Sequence, residues 1–144
     1  MVAVDANVLL YAINRDDPHH TAARQWLEAR LAGTEPVGFA WVVLLAFLRI
    51  ATNPHVFATP LSTRYAVALV EEWLAQPPAV VLAPTTRHLA ILAGLLGESG
   101  TAANLVSDAH LAALALEHGA GIASFDRDFL RFPGIDLTVP ASAQ

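Results

Sequence analysis

The sequence predicts an α/β domain in which a central, mostly parallel sheet is flanked by helices on both faces. Short apolar runs of strand length alternate with longer segments whose apolar residues recur at helical spacing. Connecting parallel strands through helices by right-handed crossovers puts helices on the two faces of the sheet. At 144 residues and 15.3 kDa, with no linker-like stretch and no internal repeat, the chain suits one domain over 1–140 with a frayed tail at 141–144.

Each element has a local reason. Val2 to Val4 is a buried strand ending at Asp5, and Asn7 with Val8, Leu9, Leu10 and Tyr11 starts a helix. Asp16, Asp17 and Pro18 make a turn, after which Ala22, Ala23, Trp26, Leu27 and Leu31 share a helical stripe that Gly33 ends. Pro36 to Ala40 reads as the second strand, and Trp41 to Ile50, apolar on nearly all sides, as a buried helix. Two prolines between Thr52 and Pro60 mark a loop whose Val56 and Phe57 tuck back against the core. Ser62 or Thr63 caps a helix to about Ala75, with Ala66, Leu69, Val70 and Trp73 facing inward, and Pro77 and Pro78 stop it. Ala79 to Leu82 is a strand, Thr85 to Glu98 a helix, and Ser99 to Ala103 a small-residue loop. A helix starting near Ser107 and Asp108 reaches His118 and is closed by Gly119. Gly121 to Phe125 is a strand ending at Asp126, and Ile135 to Val139 is the last strand.

Composition removes much chemistry. There is no cysteine, which excludes thiol nucleophiles, disulfides and thiolate-held metals. All eight basic residues are arginine, which argues against P-loop, Schiff-base and other ammonium-centred sites. The net charge of −5 speaks against nucleic-acid binding through a broad basic surface. Although 55% of residues are apolar and the mean hydropathy is +0.47, the longest uncharged apolar block, Gly38 to Leu48, is too short to span a bilayer and has no leader-peptide features. The expectation is a cytoplasmic protein with no membrane contact.

The acids define the candidate site. Ligands of open parallel sheets bind beyond the carboxyl ends of the strands, and Asp5 and Asp126 fall there, with Asp108 close to a helix start. Three converging carboxylates repel one another unless a cation neutralises them, and an all-oxygen set selects magnesium or manganese over zinc. Asp5 has few structural reasons to end a buried strand, whereas Asp108 also suits a helix N-terminus and Asp128 also suits a cap for the turn at Phe129 and Leu130. The six histidines lack metal-ligand spacing; His110, two residues after Asp108, is turned about 200° away on the helix. His19 and His20 read as solvated, and Ser107 lacks the glycines of a nucleophile elbow.

The segments VAVDANVLLYA, WVVLLAFLRIATNPHVF, NLVSDAHLAALALEHG and ASFDRDFLRFPG, in this order and spacing, resemble the PIN-domain ribonucleases, specifically the VapC-type toxins of bacterial toxin–antitoxin pairs. The resemblance covers nearly the whole chain. It implies a Rossmann-like three-layer fold, a Mg2+- or Mn2+-dependent endoribonuclease acting on RNA, a homodimer, and a VapB-type antitoxin through which any DNA contact would be made. It puts the family's acids on Asp5, Asp108 and Asp126, as metal ligands and catalytic residues, with Asp128 a weaker ligand candidate. Many family members carry a further glutamate in a pattern like E-L-L-R, and here Ala46 stands in its place, which favours one well-held cation over two. Arg49, one turn on, is placed to meet a substrate phosphate or an antitoxin carboxylate. In the implied reaction a metal-activated water hydrolyses the phosphodiester, with Asn7 positioning Asp5. Trp26, Trp41 and Trp73 and the many Val, Leu and Ala residues together exceed what a small core needs, so that some of them suit a dimer seam or an antitoxin groove. Two other readings stay open: a catalytically degenerate PIN-like module that sequesters a partner protein or RNA, and an aspartyl-phosphate enzyme using Asp5, which the absence of lysine disfavours.

Overall fold

The computed structural model describes residues 1–99 and 105–142. The elements run β1 (Val2–Val4), α1 (Ala6–Ile13), α2 (His20–Leu31), β2 (Val37–Ala40), α3 (Trp41–Ala51), α4 (Thr63–Leu74), β3 (Ala79–Leu82), α5 (His88–Ser99), α6 (Val106–Glu117), β4 (Gly121–Ala123), a 3-10 turn (Arg127–Arg131) and β5 (Leu137–Thr138). All of the loop expected at 99–103 except Ser99, and the last two tail residues, lie outside the described residues.

All ladders of the five-stranded sheet are parallel, in the order β3-β2-β1-β4-β5. The chain therefore lays β2 and β3 on one side of β1, then crosses back to place β4 on the other. With right-handed connections this reversal sends α1 to α4 to one face and α5 and α6 to the opposite face. A crevice opens where the strand order reverses, at the carboxyl ends of β1 and β4. Asp5 and the segment from Ser124 to Asp126 leave the sheet at that point.

The core lies on both sides of the sheet. β1 and β2 are buried at every position, as strands covered on both faces must be. Phe39, Leu44, Phe47 and Leu9 are fully enclosed on the first face, each contributing about 1.5–3 kcal/mol by leaving water. Trp73 meets Phe47 edge to face, with ring centroids 4.9 Å apart. On the other face α6 lies against β1 and β4 through Ala109, Ala112, Ala113 and Ala115, whose small side chains let the helix approach closely. The helix ends in a Schellman motif: Gly119 adopts φ +63°, Gly119 N–H donates to the Leu116 carbonyl at 3.3 Å, and Ala120 N–H donates to the Ala115 carbonyl at 2.8 Å.

Several boundaries differ from the expectations for identifiable reasons. The helix expected from Thr85 begins at His88, because the Thr85 backbone N–H and hydroxyl both donate to Glu117 on α6. β4 ends at Ala123 rather than Phe125: Ser124 N–H still donates to the Thr138 carbonyl at 3.0 Å, but the two amides after it are drawn off to side chains, Phe125 N–H to Asn7 Oδ1 at 3.2 Å and Asp126 N–H to Ser124 Oγ at 3.0 Å. α3 is not buried all round. Trp41 and Leu45 are 53% and 59% exposed, while Val43, Leu44 and Phe47 face the core. In the loop after it Phe57 packs inward, but Val56 is 57% exposed. Ser62 is the cap of α4, accepting from Tyr65 N–H at 3.1 Å. Among the described residues no helix is long and apolar enough to cross a membrane.

Gly121 is required by the close passage of a neighbouring strand. A Cβ there would stand 2.8 Å from the backbone oxygen of Asp136, which also accepts from Ile122 N–H. Gly121→Ala is expected to destabilise the fold by about 1–3 kcal/mol, read as a lower midpoint in urea denaturation. An unchanged midpoint would mean that β5 shifts freely.

Candidate active site

Asp5 leaves the sheet and enters a helix within one residue. Its N–H donates to the Ala123 carbonyl at 3.0 Å, continuing the β1–β4 ladder, while its Oδ1 accepts from Ala6 N–H at 2.8 Å as the cap of α1. The sequence offered few structural reasons for this acid. The structure supplies one, because a strand running straight into a helix leaves N–H groups without intrahelical partners. The second oxygen, Oδ2, accepts from Ser124 Oγ at 2.7 Å.

Ser124 is the residue that sequence reasoning missed. It is fully buried, and its hydroxyl uses its whole bonding capacity: it donates to Asp5 and accepts from Asn7 Nδ2 at 3.0 Å and from Asp126 N–H at 3.0 Å. Asn7 thus reaches Asp5 through Ser124 rather than directly, and its Oδ1 holds Phe125 N–H. A usable signal was present, since a serine directly after Ile122 and Ala123, at the end of an apolar strand, has to find buried partners.

Asp108 sits in the first turn of α6, and Asp5 and Asp108 line one cleft of about 550 Å³ with Ala46, Arg49 and Ser107. Asp126 does not line that cleft. It caps the 3-10 turn, with Oδ1 accepting from Asp128 N–H at 2.8 Å, so the capping that the sequence suggested for Asp128 belongs to Asp126. Asp128 is exposed and lies 3.7 Å from Arg131. Among the described residues no three His, Asp or Glu side chains form a ready-made cage for an ion.

The charges are nevertheless coupled. Burial pushes the Asp5 carboxyl above the usual carboxylate range; the Ser124 and Ala6 hydrogen bonds oppose that, and the charge of Asp126 adds to it. Asp108 is pushed up to about 6, first by burial and then by the charges of Asp5, Asp126 and Asp128, with Arg131 pulling the other way. Among the described residues no ion pair reaches Asp5 or Asp108. Arg49 lines the same cleft without lowering either acid. Two carboxylates without an ion-pair partner among the described residues, facing one opening, are a donor set suited to a hard divalent cation. Magnesium in particular is held by one or two carboxylates and keeps several waters, so an open site fits it.

His88 and His110 lie elsewhere. His110 is turned away from Asp108, and its Nδ1 is 2.8 Å from His88 Nε2, while His88 Nδ1 bonds Glu117. Burial raises the affinity of Glu117 for a proton, but hydrogen bonds from Thr85 and His88 outweigh it and hold the carboxyl below its ordinary range. This network joins α5 to α6 on the far side of Asp108.

Comparison with known proteins identifies the family of this fold. The PIN domain model matches residues 2–135. Ribonuclease VapC37 of Mycobacterium tuberculosis is 55% identical over 140 residues, 97% of each chain, and ribonuclease VapC33 of the same species is 43% identical over 97% of this chain and 98% of its own. Among solved structures, VapBC2 from Rickettsia felis bound to a promoter DNA fragment superposes with a TM-score of 0.70 at 15% identity, over 96% of this chain and 98% of that one. VapBC-1 from nontypeable Haemophilus influenzae gives a TM-score of 0.67 at 15% identity, over 96% and 97%. The chain belongs to the PIN-domain family and groups with its VapC members.

Two outcomes are expected. The raised Asp108 carboxyl favours the protonated form in the folded state, so its contribution to stability is present below about pH 4 and lost as pH rises through about 6. Thermal denaturation in a chelator should show that decline, and Asp108→Asn should flatten it and melt higher than the parent at neutral pH. Separately, Ser124→Ala removes an acceptor from both Asn7 and the Asp126 amide, and should cost about 1–3 kcal/mol in denaturant unfolding. A loss near zero would show that water replaces the hydroxyl.

Proposed function

We propose that the chain is the toxin of a type II toxin–antitoxin pair: an endoribonuclease of one domain over 1–140, using Mg2+ or Mn2+ held by Asp5, Asp108 and Asp126, that hydrolyses RNA phosphodiesters in the cytoplasm. The observation that carries the reading is the pair of carboxylates, Asp5 and Asp108, that face one cleft without an ion-pair partner among the described residues, in a chain 55% identical to a relative named as a ribonuclease. A bound divalent cation supplies Lewis acidity and lowers the pKa of water at neutral pH. Asp5 is the anchoring ligand, since the Ala6 amide and the Ser124 hydroxyl fix both of its oxygens. Asp108 is the second ligand, and the field that raises its proton affinity favours a metal charge equally. Asp126 completes the ligand set or orients the water, and its N–H bond to Ser124 ties it to the placement of Asp5. Arg49 offers a cationic wall to the phosphate across the cleft from the acids.

The partner in this reading is a VapB-type antitoxin, supported by the VapBC complexes among the structural neighbours. Ile13, Leu27, Leu31, Leu61, Leu69 and Trp73 line a second groove between α2 and α4 that suits an apolar segment of a partner. Trp41 and Leu45, exposed on α3, suit the seam of a homodimer. Ala46 in the cleft wall also supports a second reading, a non-catalytic binding module. The two separate on one variant. Asp5→Asn is expected to reduce divalent-dependent cleavage of RNA at least about 100-fold and to abolish manganese binding in calorimetry. Unchanged turnover in that variant would end the assignment, and a parent protein that neither binds manganese nor cleaves RNA would favour the binding module.

A further inference from the structure

Next to the acids stands a stack of three rings. His19 lies 4.6 Å from Phe125 and 5.3 Å from Tyr11 between ring centroids, inclined to them by 34° and 29°, and Tyr11 and Phe125 are 5.2 Å apart. Phe125 is fixed between the two site residues Ser124 and Asp126, with its N–H held by Asn7. Tyr11 lies on α1, the helix that Asp5 caps. The stack therefore adjoins Ser124 and Asp126, and none of its three rings lines the cleft of Asp5 and Asp108 itself.

Its outermost member has no evident structural duty. His20, the neighbouring residue, bonds the Tyr11 carbonyl through Nδ1 at 2.9 Å and so ties α2 to α1. The His19 side chain makes no hydrogen bond among the described residues and does not cap α2, although His19 is the cap residue. It is exposed and lies against the two rings, with neither imidazole nitrogen bonded to a described residue. A planar, partly polar face with a free edge matches the chemistry of a nucleobase, which stacks through its face and hydrogen-bonds through its edge.

The charge of the protein strengthens the case. With a net charge of −5 and no lysine, few phosphate contacts are available to bind RNA, and the cleft itself is acidic. Affinity for a polyanion must then come from an interaction that does not need positive charge. Base stacking is one, at about tenfold or more in affinity per base.

We propose that Tyr11, His19 and Phe125 form a nucleobase platform, on which an unpaired base of single-stranded RNA next to the cleavage site stacks against His19. This rests on the ribonuclease reading above. Two properties follow from it: binding prefers unpaired over paired RNA, and it depends weakly on salt.

The test is equilibrium binding of a randomised 20-nucleotide single-stranded RNA pool to the full chain in a chelator, with cleavage assayed separately in manganese. His19→Ala is expected to weaken binding about tenfold and to raise KM for cleavage with little change in kcat. His19→Trp, which keeps a stacking face, should restore or exceed the parent affinity, and fully paired RNA should bind more weakly and not respond to either change. Parent-like affinity and KM in His19→Ala, while the parent cleaves RNA, would overturn the platform and leave the ribonuclease reading standing. A parent chain that neither binds nor cleaves RNA would overturn both.

Discussion

One buried hydroxyl organises the acidic end of this molecule. Ser124 Oγ is bonded at once to the carboxylate that ends β1, the amide side chain on the first turn of α1, and the backbone of the residue that caps the 3-10 turn. Those partners lie 117 to 119 residues away in the chain for Asp5 and Asn7, and two away for Asp126. They meet because β1 and β4 are adjacent and parallel, with Val4 opposite Ala123. A hydroxyl with one proton and two lone pairs has no capacity beyond these three bonds, so the three groups cannot move independently. The geometry of Asp5 is thereby set by the sheet rather than by a loop.

Around that fixed point the electrostatics are deliberately unbalanced. Asp5 and Asp108 are raised by burial and by neighbouring acids, while the arginine on the cleft wall does not relieve them. Such an arrangement costs folding stability, and its usual compensation is function. Elsewhere on the same helix the opposite holds. Glu117 is buried but bonded to Thr85 and His88, so its charge is satisfied. α6 thus carries two ionisable networks. One is satisfied and joins α5 to α6. The other has no ion pair to Asp5 or Asp108 among the described residues. The alanines between them bring the helix close enough to the sheet for Asp108 to share a cleft with Asp5.

Much of this was legible along the chain. The strand and helix identities follow from apolar period and punctuation, and Gly119 marks the end of α6 because its left-handed conformation is one that few other residues adopt. Asp5, Asp108 and Asp126 stood out because acids beside apolar runs demand a reason. What misled the reading were positions where one residue does two things. Asp5 is both a helix cap and a cleft carboxylate, and Trp41 and Leu45 look like core on an apolar helix yet face outward, since helix α3 has the sheet on only one side.

The sequence by itself determined the order and type of the elements, the absence of thiol and lysine chemistry, and the acids available for a site. These depend on local backbone preference, on the period of apolar residues and on composition, all of which are readable over a few turns or by counting. Only the tertiary structure decided that Ser124 would bind Asp5, that Asp126 would stand behind the cleft instead of lining it, and that His19 would lie on Tyr11 and Phe125. Each of those outcomes requires the crossing from β3 back to β4, which brings remote segments to one end of the sheet, and no local pattern encodes the direction in which their side chains then meet.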